Sequence, residues 1–126
     1  MDIPGNLKYS QTHEWVLDNG DGTVTIGITD YAQAELGDIT YLELPDLGRE
    51  LTYDDPFGTV ESVKAASELI APVTGVITEL NQPVLDDPEV INGDPYGSWM
   101  LKVRLSNPSE LENLLTASDY AEFTEA

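Results

Sequence analysis

The 126 residues include no cysteine. Disulfides, thiol catalysis and zinc-thiolate sites are excluded with it. Basic residues are almost as scarce: five Lys and Arg stand against 24 Asp and Glu, a formal net charge of −19. A field of that sign repels phosphate backbones and anionic bilayers, so neither nucleic acid nor membrane is expected as a partner, whereas proteins with basic docking patches are attracted. Taken alone, the charge also reads as an aid to solubility. There is one histidine, without a glycine-rich phosphate loop or a metal-ligand spacing beside it, so an enzyme in its own right is the least supported class. No apolar run approaches the roughly 20 residues of a membrane span, and Met1-Asp2-Ile3-Pro4-Gly5 lacks the basic region and apolar core of a leader. A cytoplasmic bacterial protein is expected; a processed mitochondrial-matrix form would read the same.

The residues that are present support a folded chain. Apolar residues make up 40%, enough for a core despite the charge, and the length predicts one domain over residues 1–126. The pattern is mainly β. Glu14 to Leu17 and Thr23 to Ile28 flank Asn19-Gly20-Asp21-Gly22, a hairpin loop of residues that tolerate positive φ. Asp30 to Leu36 reads as a two-turn helix with Asp30 as its N-cap and Gly37 as its stop. Strands are expected over Ile39 to Leu44, Phe57 to Val63, Leu69 to Val73, Val76 to Leu80 and Trp99 to Leu105, with a polar loop over about 81–96. Asn107-Pro108-Ser109-Glu110 offers a cap, an N1 proline and an N3 glutamate before Leu111, Leu114 and Leu115, which predicts a helical C-terminus over about 107–123.

Lys64 is the only basic residue between Arg49 and Lys102. It falls at the junction of two β-like runs, within 57–73, with small residues after it: Ser62-Val63-Lys64-Ala65-Ala66-Ser67. Three readings compete. A solvated turn lysine is the ordinary one. A Schiff-base or general-base lysine needs burial or a neighbouring cation to depress its pKa, and Glu61 and Glu68 nearby favour the charged ammonium instead. The third is an attachment point, which needs an exposed amine on a rigid hairpin with clearance around it.

Glu61-Ser62-Val63-Lys64-Ala65 followed by Ala71-Pro72-Val73-Thr74-Gly75 resembles the lipoyl-attachment hairpin of the H protein of the glycine cleavage system. His13-Glu14-Trp15, Gly27-Ile28-Thr29-Asp30-Tyr31-Ala32-Gln33, Leu36-Gly37-Asp38-Ile39, Glu43-Leu44-Pro45, Glu79-Leu80-Asn81 and Asn92-Gly93-Asp94-Pro95-Tyr96 follow that family's order, so the resemblance runs from about Tyr9 to Phe123. It implies a lipoyl/biotinyl-type barrel-sandwich hybrid with a short internal helix and a helical C-terminus. It further implies lipoic acid in amide linkage on Lys64, and a non-catalytic carrier that is monomeric. The implied partners are glycine decarboxylase (P protein), aminomethyltransferase (T protein), dihydrolipoyl dehydrogenase (L protein) and the enzymes that attach lipoate. Glu14, Glu68 and Thr12 are the candidate contacts for the loaded arm, whose cationic end a carboxylate would hold. Trp15, Tyr96 and Trp99 read as packing residues, and His13 as a surface or locally bonded imidazole. Alternatives are a lipoyl-relay role, which uses the same lysine, and a lipoyl domain of a 2-oxo-acid dehydrogenase. A biotinyl carrier fits less well, since Val63 and Ala65 stand where methionines are usual.

Overall fold

The structure, a computed structural model, describes residues 1–125. The chain begins with three strands, β1 (Lys8–Tyr9), β2 (Glu14–Asp18) and β3 (Thr23–Ile28), followed by helix α1 (Asp30–Leu36). Strands β4 (Ile39–Glu43), β5 (Glu50–Leu51), β6 (Pro56–Ser62), β7 (Ala66–Ile70) and β8 (Gly75–Leu80) come next. Two short helices, α2 (Gln82–Asp86) and α3 (Val90–Gly93), lead to β9 (Leu101–Leu105), a 3-10 segment (Pro108–Asn113) and helix α4 (Ala117–Glu125). The strands form two sheets, one of six in the order β1-β2-β3-β9-β8-β5 and one of three in the order β4-β6-β7, and every pairing is antiparallel. This is the mainly β, barrel-sandwich arrangement that the strand pattern and the resemblance predict.

The main core is aliphatic and joins both sheets: Val24, Ile26, Val60, Leu69, Val73, Ile77, Leu101 and Val103 are all buried there. A second, aromatic cluster gathers Leu7, Tyr9, Trp15 and Tyr120, so it ties the first strands to the last helix. Each buried aliphatic side chain contributes on the order of 1.5–3 kcal/mol of transfer free energy. Trp15 pairs with Gly27 across β2 and β3, and its indole lies where a Cβ on Gly27 would sit, 2.6 Å away. A side chain at 27 would therefore displace the tryptophan.

Several boundaries differ from expectation for physical reasons. Thr29, not Asp30, caps α1, its side chain accepting from Ala32 N. Asp30 instead accepts from the Asp2 amide and from Gln33. Gly37 ends the helix at φ 80°, as its place after the last periodic residue predicts. The second run of the lysine hairpin stops at Ile70, because Ala71 leaves the sheet to exchange backbone bonds with Asp54 and Asp55. Residues 81–96 hold α2 and α3 where a loop is expected. At five and four residues these helices are too short to show a 3.6-residue period, and each anchors one buried side chain, Val84 and Ile91. The expected helix from Pro108 is a 3-10 segment that gives way at Leu114. Leu115 there pairs with Tyr9 through two backbone bonds of 2.7 and 2.9 Å, so a tertiary bridge overrides helical spacing.

Candidate functional site

Lys64 stands exposed at the turn that joins β6 to β7. The turn is tied within itself, Ser62 N donating to Ala65 O at 2.7 Å and Ala65 N to Ser62 Oγ at 3.1 Å. Val63 N donates to Asp38 O at 3.0 Å, which fixes the tip to the start of β4. Beneath it, Asn92 binds three backbone or side-chain groups: Ile39 N donates to its Oδ1 at 2.9 Å, while its Nδ2 donates to Gly37 O at 2.8 Å and Gln33 Oε1 at 3.0 Å. The Lys64 side chain lies over Gly37, with Cε 3.3 Å from where a Cβ would be. Glycine at 37 thus serves two ends, a left-handed helix stop and clearance for the lysine.

Next to this tip is a cavity of about 150 Å³. Ile28, Val60 and Leu69 supply apolar wall, and Ala32, Glu35 and Leu36 face it from α1. Thr12, His13 and Glu14 line it from the start of β2, and Ser67 and Glu68 from β7. Leu36 of its lining directly precedes Gly37, over which the Lys64 side chain lies. A larger cavity of about 280 Å³, between Ser10, Tyr53, Asp54 and Leu114, reaches the hairpin only at Ile70, the end of β7 far from Lys64, and is the poorer candidate.

Glu14 is the chemically distinctive residue of the smaller cavity. In sequence it reads as an edge-strand charge, yet β2 lies between β1 and β3 and Glu14 is only 2% exposed. Ser10 Oγ donates to Oε1 at 2.8 Å, Thr12 Oγ1 donates to the same oxygen, and Ile70 N donates to Oε2 at 3.3 Å. Burial pushes the carboxyl pKa up to about 7, against those donors, which favour the charged form. Glu35 and Glu68 are exposed at the rim. Such a site would accept an ammonium: a preformed buried acceptor with two further carboxylates at the mouth.

Of the residues singled out by sequence, Lys64 is at the tip, and Thr12, Glu14 and Glu68 are brought together in the adjoining cavity. His13 is not a simple surface residue. Its Nδ1 lies 2.8 Å from Tyr120 Oη and its ring stacks on Tyr31 at 4.5 Å. Glu35, Ser67 and Asn92 were not singled out. Ala32, Glu35 and Leu36 share one helical face by the i, i+3, i+4 rule, a signal that could have found Glu35. Trp15 and Tyr96 do pack, with Trp15 Nε1 donating to Pro95 O and Tyr96 Oη to Asp2 O.

Known proteins resemble the chain over nearly its whole length. A family model described as Glycine cleavage H-protein matches residues 7–126. A glycine cleavage system H protein from Marinomonas sp. (strain MWYL1) is 56% identical over 120 residues, 94% of each chain. One from Bacillus mycoides (strain KBAB4) is 54% identical over 125 residues, 98% of each. The crystal structure of a glycine cleavage system H protein from Mycobacterium marinum superposes with a TM-score of 0.90 at 39% identity, covering 98% of this chain and all of that one. With a family model matched over residues 7–126 and relatives more than half identical over nearly its whole length, the chain belongs to the glycine cleavage H-protein family.

Proposed function

We propose that Lys64 is the attachment point for a lipoyl group and that the cavity lined by Glu14 and Glu68 shelters the loaded end of the arm. As a glycine cleavage H protein the chain is a carrier of the aminomethyl group, not an enzyme. The observation that carries the assignment of the site is the adjacency of an exposed, backbone-pinned lysine to a small cleft with a buried carboxylate.

The residues fit a covalent arm. The lysine amine is open to an acylating enzyme, its neighbours Ala65, Ala66 and Ser67 are small, and the cleft begins beside Gly37. The dithiolane supplies the redox and carbon-transfer chemistry, as cofactors generally do. The protein's part is position. A tether raises the effective concentration of the cargo at each partner's site. Glu14 accepts from a protonated amine at the buried end, Thr12 and Ser10 hold that carboxylate by donating to it, and Glu68 adds charge at the mouth. One such contact at about 4 Å is worth on the order of 1 to 4 kcal/mol before desolvation. Ile28, Val60 and Leu69 exclude water, which would otherwise break down the cargo. Lipoate-attaching enzymes, glycine decarboxylase, aminomethyltransferase and dihydrolipoyl dehydrogenase are the partners of this reading, in the cytoplasm of a bacterial cell.

Three measurements test it. Exposure to a lipoate ligase should add one lipoyl mass to the peptide containing Lys64 and none to Lys64→Arg; acylation at Lys8 or Lys102 instead overturns the assignment. With the three partner enzymes, glycine should then support NAD reduction. Glu14→Gln and Glu68→Gln should each hasten decay of the loaded arm, about tenfold for Glu14, the value of a charge-assisted bond. Unchanged decay in both would remove the sheltering role and leave the attachment site standing.

A further inference from the structure

Glu14 is held by a short turn, and that turn is unusual. Ser10, Thr12 and Glu14 converge because His13 adopts a left-handed backbone at φ 72°. Non-glycine residues enter that region at a cost and persist there only when their surroundings hold them. The backbone ties are local or come from the start of α1: His13 N donates to Ser10 O, Ser10 N to Glu14 O, and Thr29 N to His13 O.

The side-chain ties come from the far end of the chain. His13 Nδ1 meets Tyr120 Oη at 2.8 Å, and Tyr120 Oη meets Thr29 Oγ1 at 2.7 Å. The imidazole stacks on Tyr31 at 4.5 Å and has the tilted ring of Phe123 of α4 at 6.0 Å. Tyr120 is fully buried and stacks on Tyr9 at 4.6 Å, 10° from parallel. One proton ordering serves all three polar groups: Thr29 accepts from Ala32 N and donates to Tyr120, and Tyr120 donates to Nδ1. Burial keeps the imidazole neutral and the phenol protonated, in keeping with that order.

We propose that helix α4 is a positioning element of the cleft: the Tyr120 hydroxyl fixes the His13 ring, and His13 in turn fixes the Ser10–Glu14 turn that presents the Glu14 carboxylate. Tyr120 and His13 touch no cargo in this scheme and act through Glu14. Its bearing on the arm rests on the sheltering role proposed above; its bearing on Glu14 does not.

The test uses the unmodified chain, with the Glu14 carboxyl carbon followed by NMR as pH is varied. The groups that line the cavity with Glu14 are Glu35 of α1, Glu68 of β7 and His13; Tyr120→Phe leaves both carboxylates in place and takes from His13 its hydroxyl partner. That variant keeps the ring on Tyr9 and removes one hydroxyl. A freed turn admits water, so the Glu14 midpoint should fall from about 7 toward the ordinary carboxylate value. His13→Ala should lower it further, and His13→Asn less than Ala, because asparagine tolerates the left-handed region. In the lipoylated chain, Tyr120→Phe should hasten decay of the loaded arm roughly two- to tenfold, the span of one buried hydrogen bond. A midpoint unmoved in Tyr120→Phe, in a chain whose circular dichroism shows it folded, overturns the proposal whatever becomes of His13→Ala. A midpoint that falls while decay is unchanged in both Tyr120→Phe and Glu14→Gln supports the positioning and sinks the sheltering role instead.

Discussion

A carboxyl group at 2% exposure destabilises the fold whenever it is charged. Glu14 carries a folded-state pKa of about 7 against an ordinary 4.5, so the folded chain holds this proton more tightly than the unfolded one. Its contribution to stability is therefore full below about 4.5 and is lost as pH rises through 7, a change of roughly 3 kcal/mol. Asp30 runs the other way: bonding to the Asp2 amide holds it low, so its contribution is present above its ordinary pKa and lost in acid. The two are separated by a difference measurement. Glu14→Gln should unfold at higher temperature than the native chain at pH 8, and the gap should close toward pH 4.5, as calorimetry across that range would read. Nothing in Glu14-Trp15-Val16-Leu17-Asp18 marks the glutamate as buried. Its neighbours in the turn, Ser10 and Thr12, supply the donors, and only a three-dimensional turn brings them onto one oxygen.

At the scale of elements, legibility followed length and local chemistry. The Asn19–Gly22 loop, the stop at Gly37 and strand β8 could be placed because turn residues or alternation specify them locally. Helices α2 and α3 offered no period to read, and Leu115 was claimed by Tyr9. Asn92 shows what such a short helix is for: from α3 it joins the end of α1 to the start of β4, directly under the lysine turn. Asn92→Ala removes three hydrogen bonds and leaves Ile39 N without its partner, so it should cost about 2 kcal/mol. Chemical denaturation measures that directly, and hydrogen exchange at Ile39 and Val63 should rise more than at Val103 in β9. The lysine turn was readable because an isolated lysine among small residues between two strands is a local signal, though that signal left three readings of Lys64 open and only the family resemblance chose attachment among them. The positioning of Glu14 was not, because it runs from residue 13 to residue 120.

For the molecule as a whole the decisive quantity is charge. Acylation of Lys64 would take the formal count from −19 to −20, that is −19 minus one positive charge. Among the described residues a single ion pair, Lys102 to Glu79 at 3.4 Å, offsets this field. Self-repulsion of that kind is screened over about 10 Å at 0.1 M salt. The melting temperature should accordingly rise by a few degrees between 10 mM and 0.5 M sodium chloride. Over the same range, capture by partner enzymes should slow, measured as the association rate at a sensor surface. A salt-independent melting curve would show that the acidic groups lie too far apart to repel.

The two sheets also differ in how much of the chain each needs. The sheet that bears Lys64 is made wholly from residues 39–70, whereas the cleft wall at His13 waits on Tyr120. On a ribosome the hairpin that bears Lys64 therefore emerges about 50 residues before α4. On the proposed reading, receiving the cofactor draws on one stretch of the message while guarding its cargo draws on that stretch and on both ends of the chain, so a chain cut short before α4 weakens the second without losing the residues of the first.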